Sequence, residues 1–223
     1  MKNLLLLISL CVFSGLGAQT SSGEQGRSFS FFAGVESHLL GAGAGIWKEG
    51  DPYIDFQHDA IGFTLGFAAR FPLLPQLFVQ PELAFSYNRH QAVLWADNRP
   101  TGALRYNFAD IELPVHLVLS NPVGRLPLRS SILFGGRMGL NVASPHPDGG
   151  IALLRERFGV DLGLGAEFRW GKWRLAPEVI YSHGMNDLHS DTGSPYDRAA
   201  NRIVRDKISL RIGFGKMGKS GVR

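Results

Sequence analysis

Glu36, Arg70, Glu82, Glu112, Arg137, Asp161, Glu167, Arg169, Glu178 and Arg211 are the residues of this chain best placed for electrostatic chemistry. Each has an apolar residue beside it in sequence, so each is carried toward a water-poor interior by its neighbours. Removing the partner of a charge in such a place leaves an uncompensated ion, which is strongly destabilising. Acids and arginines held together there are therefore expected to pair, and the planar guanidinium suits carboxylates on two neighbouring segments. The expectation is a structural ion-pair network centred on Arg137, with a proton or small-ion path along the same residues as the alternative.

A second group could do other chemistry. Ser182, His183, Asp187, His189, Ser190 and Asp191 lie close in sequence, and His38 or His90 could face them. Nucleophile, base and orienting acid would have to converge within hydrogen-bond reach. No nucleophile-elbow pattern and no HExxH zinc pattern accompanies them. Paired histidines in a loop also lack the ligand spacing of a zinc site. The expectation is a solvated loop, with no catalytic, cofactor-binding or metal site. An enzyme at one rim of the fold is the third-ranked reading.

What must position the charges is a set of strands. In Phe158 to Arg169, FGVDLGLGAEFR, one face carries Phe158, Val160, Leu162, Leu164, Ala166 and Phe168, and the other is charged or bare. Similar segments run over 28–39, 61–71, 77–88, 106–120, 130–142, 173–182 and 207–215. The seven connections alternate long and short: 40–60, 72–76, 89–105, 121–129, 143–157, 170–172 and 183–206. Apolar-out, polar-in strands of about ten residues, joined by short turns on one side and long loops on the other, are the pattern of an outer-membrane barrel. The fold expected is all-β, an eight-stranded antiparallel up-and-down transmembrane β-barrel. Pro81, Pro114 and Pro177 fall inside proposed strands, where a missing donor predicts bulges or altered registers. Phe71, Phe78, Trp170 and Trp173 near the short turns, and Tyr87, Tyr106 and Tyr181 toward the loops, suggest interfacial girdles. Trp47, Tyr53, Trp95 and Tyr196 sit in long connections, as contact anchors or lipid-headgroup neighbours.

The remaining composition narrows the class. Lys2 and the apolar run Leu4 to Phe13, followed by small residues to Ala18, have the layout of a signal peptide. The expected organisation is a signal peptide at 1–18, a barrel domain at 19–215 and a charged tail at 216–223. Cys11, the single cysteine, leaves with the signal, which excludes disulfides and thiol catalysis from the mature chain. No later apolar run reaches the roughly eighteen residues that a spanning helix needs. The net charge is +4, but its lysines and arginines are scattered rather than clustered, which argues against a nucleic-acid partner. The 28 glycines suit the inward face of a narrow barrel.

The segments FVQPELAFSY (78–87), IELPVHL (111–117), LFGGRMGLNV (133–142), APEVIYSHGMNDL (176–188) and ISLRIGFG (208–215) together resemble the PorT-like outer-membrane β-barrel proteins. The chain departs from the usual barrel ending, because Phe214 is followed by GKMGKSGVR. The resemblance implies a Gram-negative outer-membrane location, contact with outer-membrane lipid, and partners among envelope or secretion proteins. The expected role is structural or interactive, as an accessory to protein secretion. A narrow channel for small solutes or ions is the functional alternative. A soluble lipocalin-like barrel is the architectural one, and it would reverse the faces.

Overall fold

The structure, a computed structural model, describes residues 27–44, 53–56, 60–97, 99–121, 128–143, 152–190 and 200–216. The expected signal peptide, Trp47, Asp191, Tyr196 and residues 217–223 lie outside them. Among the described residues eleven strands are formed: β1 (Ser28–Ala44), β2 (Tyr53–Phe56), β3 (Ala60–Leu74), β4 (Leu77–Ala96), β5 (Arg99–Ser120), β6 (Leu128–Asn141), β7 (Ala152–Leu153), β8 (Glu156–Trp170), β9 (Trp173–Gly184), β10 (His189–Ser190) and β11 (Ala200–Lys216). The long strands close a ring in the order β1, β3, β4, β5, β6, β8, β9, β11 and back to β1, each antiparallel to both neighbours. The last strand reaches Lys216, which pairs with Phe29.

Alternation decides the faces. Phe31, Val35, Phe63, Phe67, Ile111, Leu117, Phe134, Leu162, Leu164, Leu210 and Ile212 are exposed on the outer wall, while Glu36, Glu82, Glu112, Asp161, Glu178 and Arg211 are buried inside. A lipocalin-like interior, apolar within and polar without, is the reverse of this arrangement. The tight turn between β8 and β9 uses Gly171 at φ 60°, where a side chain would be strained. Gly135 has no room for a Cβ, which would run into the Val115 carbonyl and His116 on β5.

The prolines act differently from the bulges expected of them. Registers run unshifted through Pro81, Pro114 and Pro177; the described shifts lie instead at Ala42/Ala44, Pro72/Leu74 and Leu94/Trp95. Pro81 faces Val115, one position from Pro114. The two missing donors fall on adjacent seams: pairing lapses on β4–β5 beside Pro114, between Pro81/Val115 and Ala84/Glu112, and on β3–β4 beside Pro81, between Ala68/Glu82 and Phe71/Val79, and each resumes in the same register. The β8–β9 seam lapses likewise beside Pro177, between Gly165/Glu178 and Phe168/Leu175.

The long connections are also more ordered than expected. Residues 89–105, read as a loop, are mostly strand: β4 and β5 continue as a hairpin to a turn at Asp97. β2 pairs along β4, with Tyr53 stacked on Trp95 at 5.6 Å and 2° between ring planes. Both aromatics therefore brace this sheet rather than standing free. β7 and β10 pair within the other long connections.

Above Arg89 and Asn107, which bond to each other at 3.1 Å on the outer wall, the hydrophobic phase inverts. Inward positions become apolar (Leu40, Ala92, Tyr106, Ile203) and outward ones polar (Gln91, Arg105, Arg202). The inward residues join Ile54, Phe56, Leu153 and Leu188 in a buried cluster that caps the loop end of the lumen. Tyr106 and Phe78 are thus interior, at 1% and 4% exposure, and not members of the girdles suggested by the sequence. Trp170 and Trp173 are exposed at the turn end, Trp173 stacking on Phe214 at 4.8 Å.

Candidate functional site

The lumen is occupied by one continuous lattice of charged and polar side chains drawn from all eight barrel strands. At the turn end, Arg174 of β9 donates to Ser28 (3.2 Å) and Ser30 (3.1 Å) and lies 3.5 Å from Glu167 of β8. Arg70 of β3 bridges Glu167 (3.3 Å) and Gln80 (2.8 Å), and Gln80 passes its amide to Glu82 at 2.7 Å. Arg211 of β11 then forks between Glu82 (2.6 Å) and Glu178 (2.7 Å).

From Glu82 the lattice crosses the barrel. His116 lies between Glu82 (3.1 Å) and Asp161 (2.8 Å), so each ring nitrogen faces a carboxylate, the arrangement of a ring donating at both. Arg137 takes Asp161 side-on through Nε (2.9 Å) and Nη2 (2.8 Å) and reaches Glu112 through Nη1 at 2.9 Å. Lys207 joins Glu112 (2.7 Å) to Glu36 (3.0 Å). His38 accepts from Arg205 at Nδ1 (2.9 Å), which leaves the Nε2 proton for Glu36 at 3.0 Å. Arg205 ends the chain on Asp110 (2.8 Å), shared with Arg157 (2.6 Å).

Each residue assigned to this network from the sequence lies in it, with different weight. The lattice has two hubs, Arg137 and Arg211, rather than one. Arg169 is marginal: its side chain is 28% exposed and its bond is to Glu167, two residues away on the same strand. The sequence reading omitted Arg157, Arg174, Arg205 and Lys207. The signal was present for all of them. Arg205 and Lys207 share the parity of Arg211, Arg157 shares that of Asp161, and Arg174 shares that of Glu178.

The candidate rim cluster does not converge. Ser182 points inward and is 4% exposed, whereas its neighbour His183 points outward and bonds Asp206 at 2.9 Å. Asp187 accepts the backbone N–H groups of His189 and Ile203, both at 2.9 Å, and so shapes the chain between β9 and β11. His189 and Ser190 form β10. His38 and His90 are inside the barrel, their rings 6.1 Å apart, and His90 lies beyond the apolar wall. Burial, reinforced by the Arg205 guanidinium, lowers His90 to about 3, so its ring is neutral at physiological pH.

No family model matches the chain, and no curated protein does. Solved structures do. The outer membrane protein OprG from Pseudomonas aeruginosa aligns with a TM-score of 0.52 at 12% identity, over 86% of this chain and 96% of its own. Neisserial surface protein A aligns at 0.48 and 14%, over 87% and 100%. Ail of Yersinia pestis aligns at 0.43 and 12%, over 86% and 99%. At such identities the likeness is one of fold, and with the closed ring described above it makes this chain an all-β, eight-stranded antiparallel transmembrane barrel.

Proposed function

We propose that the protein is an outer-membrane barrel with a closed lumen, acting as a structural or interaction protein whose contact surface is the sheet β2–β4–β5 above the membrane. The observation that carries this reading is the lattice itself. Its ion pairs link all eight strands across the interior, and the apolar cluster around Tyr106, Phe108 and Ile203 covers the loop end. Eight strands enclose a space that side chains can fill, and here they fill it with mutually bonded charges. The exposed apolar wall and the tryptophans at the turn end support contact with lipid, and the convention of short periplasmic turns sets the long connections outside.

Planar bilayers test the closed lumen. The reconstituted barrel is expected to pass no steady current, because a lumen crossed by ion pairs and capped at its loop end offers no continuous path. Large, stable openings would replace this reading by the narrow channel. Location is tested by fractionation: the protein should need detergent for extraction and should change gel mobility on heating, and recovery from the soluble periplasm would defeat the membrane reading.

A finer role, accessory to protein secretion, is supported by the PorT-like segments alone. Crosslinking in intact cells should then capture other envelope proteins, and a deletion strain should export less cargo. Normal export together with no captured partner would leave a passive structural barrel as the better account.

A further inference from the structure

The loop-end half of the lumen contains a cavity of about 40 Å³ beside the lattice. On this measure it has room for a few waters or one small polyatomic ion. Among its lining residues the charged ones are mostly cations, Arg137, Arg157, Arg205 and Lys207 against the acid Glu112, and Ser182 lines it beside them. Glu112 is already covered by Lys207 at 2.7 Å and Arg137 at 2.9 Å.

The pairing around the cavity is lopsided. Arg157 and Arg205 both spend Nη1 on the same oxygen of Asp110, at 2.6 Å and 2.8 Å. Two guanidiniums thus share one carboxylate, and the Nε and Nη2 of Arg157 are buried with no hydrogen-bond partner in the protein. The Oγ of Ser182, also buried, has none either. Both guanidiniums lie 4.7 Å from the ring of Phe108, which holds their planes. Buried donors without acceptors are costly, and Nε with Nη2 is the edge that a guanidinium offers to a two-oxygen acceptor. A metal cation would be repelled by the guanidinium edge, and an apolar solute would leave its donors unmet.

We infer that this cavity binds a small oxyanion of the phosphate class, gripped by Nε and Nη2 of Arg157, with the Ser182 hydroxyl as a third donor and Arg205 and Lys207 supplying flanking charge. Such an oxyanion comes either free from solution or as the phosphate of a lipid headgroup.

The test uses the full mature chain folded in lipid-free detergent. Isothermal titration with inorganic phosphate at constant ionic strength is expected to give saturable binding, at least tenfold weaker in Arg157→Gln and several-fold weaker in Ser182→Ala. Arg157→Lys, which keeps the charge and loses the fork, should also lose most of the affinity. Arg89→Gln, on the outer wall, should bind as the parent does. Ser182→Ala keeps the inference testable if the Arg157 variants do not fold. A second arm asks whether barrel refolded with lipid A retains it in native mass spectrometry. Phosphate binding in detergent assigns a solution source. No such binding, with lipid A retention that the Arg157 and Ser182 substitutions abolish, assigns the headgroup. Neither result, or binding indifferent to both residues, overturns the site.

Discussion

Arg211→Ala destabilises the lipid-reconstituted barrel by about 3–5 kcal/mol, the cost typical of breaking a buried pair from one side. The size follows from what the guanidinium holds. It is buried, and it joins Glu82 of β4 to Glu178 of β9 across the lumen at 2.6 Å and 2.7 Å. Without it, Glu178 retains Arg70 at 3.8 Å, and Glu82 retains Gln80 and His116. Two carboxylates would then share too little positive charge in a space with little water. A loss of similar kind is expected for Arg137→Ala, which strips Asp161 and Glu112 together. Arg169→Ala should cost only about 0–1 kcal/mol, as for a partly solvated pair. The measurement is the urea midpoint of each variant in the same vesicles. Combining Arg211→Ala with Glu178→Gln should recover part of the loss, since one stranded charge is then removed. Equal, near-zero effects for Arg211 and Arg169 would mean that the lumen is flooded and its charges solvated.

The alternation that exposed the barrel in the sequence works because a slip of one residue would turn every side chain to the other face. The sequence therefore sufficed to set Glu82, Asp161 and Arg211 inside and Leu162, Leu210 and Phe214 outside, as the structure has them. It failed where the solvent outside the wall changes. Beyond Arg89 and Asn107 the wall no longer faces an apolar medium, so polar residues take the outward positions and Ala92 and Tyr106 turn inward. A rule of apolar-out strands stops reading at that border, and residues 89–105 looked like loop although they form a hairpin. The same truncation hid Arg205, because Ile203 inverts the pattern just before it, whereas Lys207 opens the segment 207–215 on the inward parity. Bond partners were legible only as a set. Which acid meets which arginine depends on strand order around the ring, as Arg211 meeting Glu82 from another strand shows.

Leu162→Lys should destabilise the barrel in vesicles by about 2–4 kcal/mol, the cost of lysine near the bilayer midplane on a lipid-facing wall. Leu162 is 58% exposed and lies near the middle of β8, flanked on its face by Val160 and Leu164, with Trp170 marking the turn end. Nothing inside the protein explains that exposure, since its neighbours on the inward face are Asp161 and Gly163. A wall built for water would accept the lysine with little change, whereas a wall built for hydrocarbon must let the ammonium reach for the interface. Arg105, outward beyond the rim, provides the counterpart: Arg105→Leu should move the midpoint by no more than about 1 kcal/mol, because that end of the hairpin is outside the apolar belt. Urea unfolding of both variants in vesicles of one lipid composition separates the cases. A tolerated Leu162→Lys, with unchanged midpoint and unchanged partition into membranes, would remove the lipid-facing role from the wall and with it the membrane reading.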